Sequence, residues 1–288
     1  IETPLAAKLK TWIRRDGPIS VRQFMHACLH DPEHGYYRTK TAIGNKGDFV
    51  TAPEISQIFG ELIGLWCAVV WEQMGKPANF NLVEIGPGRG TLMRDALRAL
   101  KVVPAMRAAA SIHLIESNFV LMEQQRETLD ELAQPPTWHA SVDALRDGRA
   151  IPPLPTIIVA NEFIDTLAVD QWERKDGAWR VREIGLNAQG ELSFVPTAVD
   201  PDLSMIALPA SLAAMQEDGS VFEASAARAE FFSSVIGRRN TMGPMAALFL
   251  DYGHRASSFG DTVQAVREQR HVSIFYAPGE SDLSANVD

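Results

Sequence analysis

The chain has 288 residues, room for one large α/β domain or a domain with an inserted lobe. Hydrophobic residues make up 46% and charged residues 22%, enough for a full core and ordinary for a soluble protein. A formal net charge of -9 argues against nonspecific binding to nucleic acid or to an acidic membrane.

Taken in chain order, residues 1–76 read as helical with one polar interruption. Leu5, Leu9, Trp12 and Ile13 keep helical spacing, and residues 20–29 form a second such stretch. Cys28 here and Cys67 further on lie in apolar helical surroundings, as expected of buried reduced thiols. Residues 30–53 read as irregular, broken by Asp31-Pro32, Gly35, Gly44, Gly47 and Pro53. His26, His30 and His34 recur every fourth residue, yet Asp31-Pro32 and Gly35 interrupt the helix that would align them, so no metal is expected. A helix over 56–74 carries Ile58, Leu62, Leu65, Trp66, Val69 and Val70 and is ended by Gly75 and Pro77.

From residue 80 the pattern becomes strand and helix in alternation. Strands are expected at 81–85, 111–116, 137–142, 156–161 and 246–251, with helices at 91–101 and 119–132. Unbroken runs such as Ile157-Ile158-Val159 imply strands buried on both faces of a parallel sheet. The expected fold is a doubly wound, mostly parallel Rossmann-like α/β sheet with an N-terminal helical region and an inserted α+β lobe. Residues 167–245 form that lobe, with turns at Asp176-Gly177 and Gln189-Gly190 and a helix over 220–236. The core then comprises 77–166 with 246–288, the latter holding one further strand at 271–276. No apolar run reaches the ~18 residues of a membrane span and no leader pattern opens the chain, so a soluble intracellular protein is expected.

The first strand ends in Glu84-Ile85-Gly86-Pro87-Gly88-Arg89-Gly90. Three glycines let the backbone turn tightly against a nucleoside or its tail. The third comes two residues after the second, where a dinucleotide site places it three after. That spacing points to S-adenosyl-L-methionine (SAM) rather than a nicotinamide cofactor. Gly86, Pro87, Gly88 and Gly90 give backbone access beside the helix N-terminus, which favours a carboxylate. Arg89 is either a partner for that carboxylate or a solvated arginine. Glu116, closing the second strand, is placed for the ribose hydroxyls, and Asp143, past the third, for the adenine edge.

Tyr36-Tyr37, the run Gly47-Asp48-Phe49-Val50-Thr51-Ala52-Pro53-Glu54-Ile55-Ser56-Gln57, the glycine loop and Asn161-Glu162-Phe163-Ile164-Asp165 together resemble the MidA-type methyltransferases. Asp251-Tyr252-Gly253, Gly260-Asp261-Thr262 and Gly279-Glu280-Ser281-Asp282-Leu283 extend the likeness over nearly the whole chain. The chain departs from the family pattern at Ile164, Thr166 and Ala168 and again at Ser284-Ala285-Asn286. The resemblance implies SAM-dependent methylation of a protein arginine, of the symmetric dimethylarginine type, on a respiratory complex I subunit. It further implies a bacterial cytoplasmic or mitochondrial matrix address.

An arginine substrate stays protonated, with a pKa above ~12, so carboxylates are needed to grip and orient it. Glu162 is the expected clamp. Asp165 is either a supporting acid or a cap of the following helix. Asn161 serves the substrate amine or the cofactor. The segment with Asp48, Phe49, Thr51 and Glu54 resembles the family's lid, Glu54 facing the pocket or capping the next helix. Competing readings are a methyltransferase for a small molecule or another side chain, and a noncatalytic SAM-binding assembly factor.

Overall fold

Five apolar strands form one parallel sheet in the computed structural model, which describes residues 2–39, 51–132, 134–195, 208–213 and 217–287. They are β1 (Phe80–Ile85), β2 (Ala110–Ile115), β3 (Thr137–His139), β4 (Thr156–Asn161) and β5 (Met245–Leu250). Their spatial order is β5-β4-β1-β2-β3, every neighbouring pair parallel. All six residues of β1 are buried, as a strand covered on both faces requires. The chain steps outward from β1 to β2 and β3, then returns to lay β4 on the other side of β1. That reversal leaves a crevice at the carboxyl ends of β1 and β4, where doubly wound sheets bind ligands.

Helices α1 (Gln57–Gln73), α2 (Thr91–Ala99) and α3 (Phe119–Thr128) surround this sheet's first half. The side that α1 buries is set by its glycines. A Cβ on Gly60 would lie 2.6 Å from Asp95 Cβ, and one on Gly64 would lie 2.5 Å from the Ala96 carbonyl oxygen, both on α2. Gly60, Ile63, Gly64, Cys67 and Trp71 are therefore buried, while Ile58, Leu62, Leu65 and Val69 of the expected apolar set face outward. Both cysteines are buried free thiols.

Several boundaries differ from expectation. β3 stops at His139, because Ser141 accepts the Asp143 N–H and starts a 3-10 turn over Val142–Leu145. The expected helix over 119–132 ends at Thr128, and a short helix, Pro104–Ala109, precedes β2. The helix expected over 220–236 splits into a strand, Val221–Ala224, and α4 (Ala226–Met242), since Val221–Ala224 pairs antiparallel with Asp170–Lys175.

Two compact units result: Ile43–Phe163 with Ala229–Asp251, and Ile1–Ala42 with Ile164–Arg228 and Tyr252–Asp288. The division differs from the expected 1–76, 77–166 with 246–288, and 167–245. The first unit holds the parallel sheet. The second is built of helices Pro4–Asp16 and Val21–His30 and three small antiparallel sheets. Ser20 starts the latter helix with a reciprocal capping box to Gln23. The strand expected over 271–276 is Arg270–Val272, paired with Gln264–Arg267, which also pairs with Asp282–Ser284. These three belong to the second unit rather than to the edge of the parallel sheet. No helix among the described residues is long and apolar enough to cross a membrane.

Candidate active site

Where β1 ends, the backbone turns through Gly86, Gly88 and Gly90 with φ of 64°, 55° and 82°. Such angles suit glycine, since a Cβ there crowds the following carbonyl. At Gly86 a Cβ would also sit 2.9 Å from Phe163 Cδ2. Gly90 ends the turn as the cap of α2, its carbonyl accepting the Arg94 N–H at 3.0 Å. The loop is held from outside by Gln125 of α3, fully buried, whose side chain donates to the Gly88 carbonyl at 2.7 Å. Trp138 of β3 in turn donates to the Gln125 side-chain oxygen at 2.8 Å.

A small cleft of about 50 Å³ opens over this loop. Its walls include Glu84, Gly86, Pro87, Gly88 and Arg89 from β1 and its turn, Thr91 and Leu92 from α2, and Asn161 and Glu162 after β4. Thr51, Pro53 and Glu54 complete it from the segment that includes the short helix Ala52–Ile55. Asp48 and Phe49 lie outside the described residues.

Glu162 leaves β4 with φ of 51°, an angle unusual for a non-glycine residue and associated with sites where geometry is forced. Its N–H donates to the Leu250 carbonyl at 2.8 Å, which locks it to the end of β5. Its Oε1 accepts the Ala52 N–H at 3.5 Å and the Asn161 side-chain amide at 3.3 Å. Oε2 is buried with no partner among the described residues. Burial, with a smaller contribution from the Asp251 charge, raises the carboxyl pKa. Glu84 is buried deeper, at 3% exposure, and its Oε2 likewise has no partner among the described residues. Loss of hydration pushes its pKa up to about 8.

Glu54 bridges the cleft's rim. Its Oε1 accepts the Thr91 hydroxyl at 2.5 Å, and its Oε2 lies 3.6 Å from the Arg89 guanidinium. It lines the pocket, and both of these contacts run to the glycine turn and the start of α2.

Three expected site residues stand apart from the cleft walls. Glu116 follows β2 half-buried, its oxygens accepting the Asn118 N–H at 2.8 Å and the Gln125 amide at 3.3 Å. Asp143 sits exposed on its 3-10 turn, bonded by the Ser141 hydroxyl at 3.0 Å. Asp165 belongs to the other unit, inside the 3-10 turn Ile164–Thr166, its carbonyl accepting the Ala285 N–H at 2.8 Å. Thr91, Leu92 and Gln125 were not expected from sequence; only Thr91, a hydroxyl directly after the last glycine, carried a local signal. Among the described residues no group of three or more His, Cys, Asp and Glu is placed to hold a metal ion.

A doubly wound parallel sheet with a glycine-lined cleft at its reversal point defines a nucleotide-type cofactor site. A family model described as "Putative S-adenosyl-L-methionine-dependent methyltransferase" matches residues 62–288. The mitochondrial protein arginine methyltransferase NDUFAF7 of Rattus norvegicus is 33% identical over 304 residues, spanning 99% of this chain and 68% of the relative. Its Drosophila melanogaster homolog is 33% identical over 309 residues, with the same two shares. A Burkholderia thailandensis protein solved with S-adenosyl-homocysteine bound aligns at a TM-score of 0.82 and 24% identity, over 100% of this chain and 76% of its own. That last likeness shows the fold. The chain belongs to the S-adenosyl-L-methionine-dependent methyltransferase family and uses SAM as its cofactor. The lining suits such a ligand: it offers glycine backbone at Gly86 and Gly88, and buried carboxyl oxygens of Glu84 and Glu162 that have no partner among the described residues.

Proposed function

We propose that this chain is a protein arginine methyltransferase whose substrate guanidinium is gripped by Glu162. The observation that carries this is Glu162 itself: a forced backbone angle aims a half-buried carboxylate whose Oε2 is unspent. The curated relatives named as protein arginine methyltransferases support the same reading. When bound, SAM supplies a methyl group made electrophilic by its sulfonium. Gly86, Pro87, Gly88 and Gly90 would line its tail, Arg89 and the α2 N-terminus would receive its carboxylate, and Glu84 would border it. Glu116 and Asp143 serve ribose and adenine.

Glu162 acts on the acceptor. The substrate guanidinium donates a charge-assisted hydrogen bond to the unspent Oε2, which orients it. The methylated product sheds a proton, and a carboxyl with a raised pKa is suited to take it up at Oε2. Asn161 holds Oε1, so the clamp presents its other oxygen. The family resemblance supports a respiratory complex I subunit as target and symmetric dimethylarginine as product. The mitochondrial relatives support a matrix address in a eukaryote, and the resemblance a cytoplasmic one in a bacterium.

The test pairs two measurements on Glu162→Gln. Methyl transfer from labelled SAM to arginine peptides of a complex I subunit should fall by about 100-fold or more, the scale of a lost charge-placing group. S-adenosyl-homocysteine affinity, measured by calorimetry, should stay within about twofold. Retained transfer would refute the clamp.

A further inference from the structure

Glu54 is placed where an incoming carboxylate is needed. It is an anion beside the N-terminus of α2, touched by the Thr91 hydroxyl and the Arg89 guanidinium. The two contacts are unequal. The Thr91 bond is short at 2.5 Å, whereas Arg89 stands 3.6 Å away, beyond the 2.7–2.9 Å of a charge-assisted hydrogen bond. Arg89 is 44% exposed and is the cation among the residues lining the cleft. Its donors are therefore loosely engaged by a carboxylate of the protein itself.

We infer that Glu54 is a positioning residue, a built-in placeholder that holds Arg89 at the cleft and yields it to the cofactor's carboxylate. The inference rests on the reading that Arg89 receives that carboxylate. It has a consequence for the acceptor side. Glu54 and Ala52 lie on the same single-turn helix, and the Ala52 N–H donates to Glu162 Oε1. The Thr91 hydroxyl keeps Glu54 in place when Arg89 is given up, so the contact of Ala52 with Glu162 is preserved while the cofactor enters.

A placeholder competes with the ligand, so removing its charge should tighten binding, which a purely supporting residue would not do. S-adenosyl-homocysteine, which lacks the sulfonium, is the probe, titrated calorimetrically into the full chain. Glu54→Gln should lower its Kd by about 1.5- to fivefold, the range for a partly exposed ion pair. The gain should shrink in high salt. Arg89→Ala should weaken binding, and Glu54→Gln added to it should bring no further gain. An unchanged or weaker affinity in the Glu54→Gln protein with normal melting overturns the placeholder. A gain that persists without Arg89 overturns it equally. Absence of arginine methylation in a wild-type protein that binds the probe normally would instead sink the proposed function.

Discussion

Glu84 and Gly86 stand two residues apart at the end of β1 and fail in opposite ways when altered. Glu84 is buried, and its folded pKa of about 8 lies above the ordinary 4.5. Between those values the folded chain keeps a proton that the unfolded chain has lost. Its stabilising contribution is complete below pH 4.5 and declines as pH rises toward 8, by at most about 1.4 kcal/mol per pH unit. Ligand-free Glu84→Gln should lack this decline: urea midpoints at pH 5 and pH 8 should converge relative to wild type. An identical slope in both proteins would mean the carboxyl titrates normally. At Gly86 the penalty is geometric. Gly86→Ala should lose roughly 1–2 kcal/mol to the left-handed backbone, with more lost to Phe163, 2.9 Å from the added methyl. Adding Phe163→Ala should recover the second part but not the first, which a double-mutant cycle reads directly.

Helices α1 and α2 show which signals a sequence carries at the scale of elements. Gly64→Ala should gain about 1 kcal/mol of helix propensity. Its methyl, however, meets Ala96 backbone at 2.5 Å, which cannot yield as a side-chain tip does. Overpacking of about 1–3 kcal/mol should win, giving net destabilisation in urea. Leu62→Gln, at 59% exposure on the opposite face, should stay within about 0.5 kcal/mol. Apolar periodicity alone did not pick out the buried side of α1: Val70 is buried and Trp66 packs on the core, whereas Ile58, Leu62, Leu65 and Val69 are exposed, because glycines buried by close helix approach score as gaps. Strand β4 was legible since burial of its first five residues leaves a continuous apolar run, while β1, β2 and β5 were legible from shorter apolar stretches. Glu162 was legible from its place at a strand end. The Glu54–Thr91 bond and the Gln125 support of the glycine loop each join residues 37 apart, which no local pattern encodes. Val221–Ala224 looked helical for the same reason: its strand form exists through pairing with Asp170–Lys175.

For the whole molecule the question is what holds a chain that passes between two units several times. Two arginines of α4 anchor it, one in each. Arg228 donates to the carbonyls of Ile164, Ala285 and Asn286, all within the antiparallel unit. Arg238, 1% exposed, donates to the carbonyls of Leu145, Ile151 and Pro152 and to the Thr156 hydroxyl, all within the sheet unit. Burial lowers its pKa to about 10, so it remains charged at neutral pH and is satisfied by carbonyl dipoles. Removing it takes the donor from the Leu145 and Ile151 carbonyls, while the Pro152 carbonyl still accepts from Asn81 and Leu154, a loss of roughly 3 kcal/mol. Because each set of bonds is internal to one unit, the damage should be local. Arg238→Ala should speed amide hydrogen exchange in residues 145–156 and 229–251 while sparing 170–195. Arg228→Ala should speed it in 164–170 and 282–287 while sparing β1 and β4. Uniform loss of protection in both variants would show instead that the chain opens as one cooperative body.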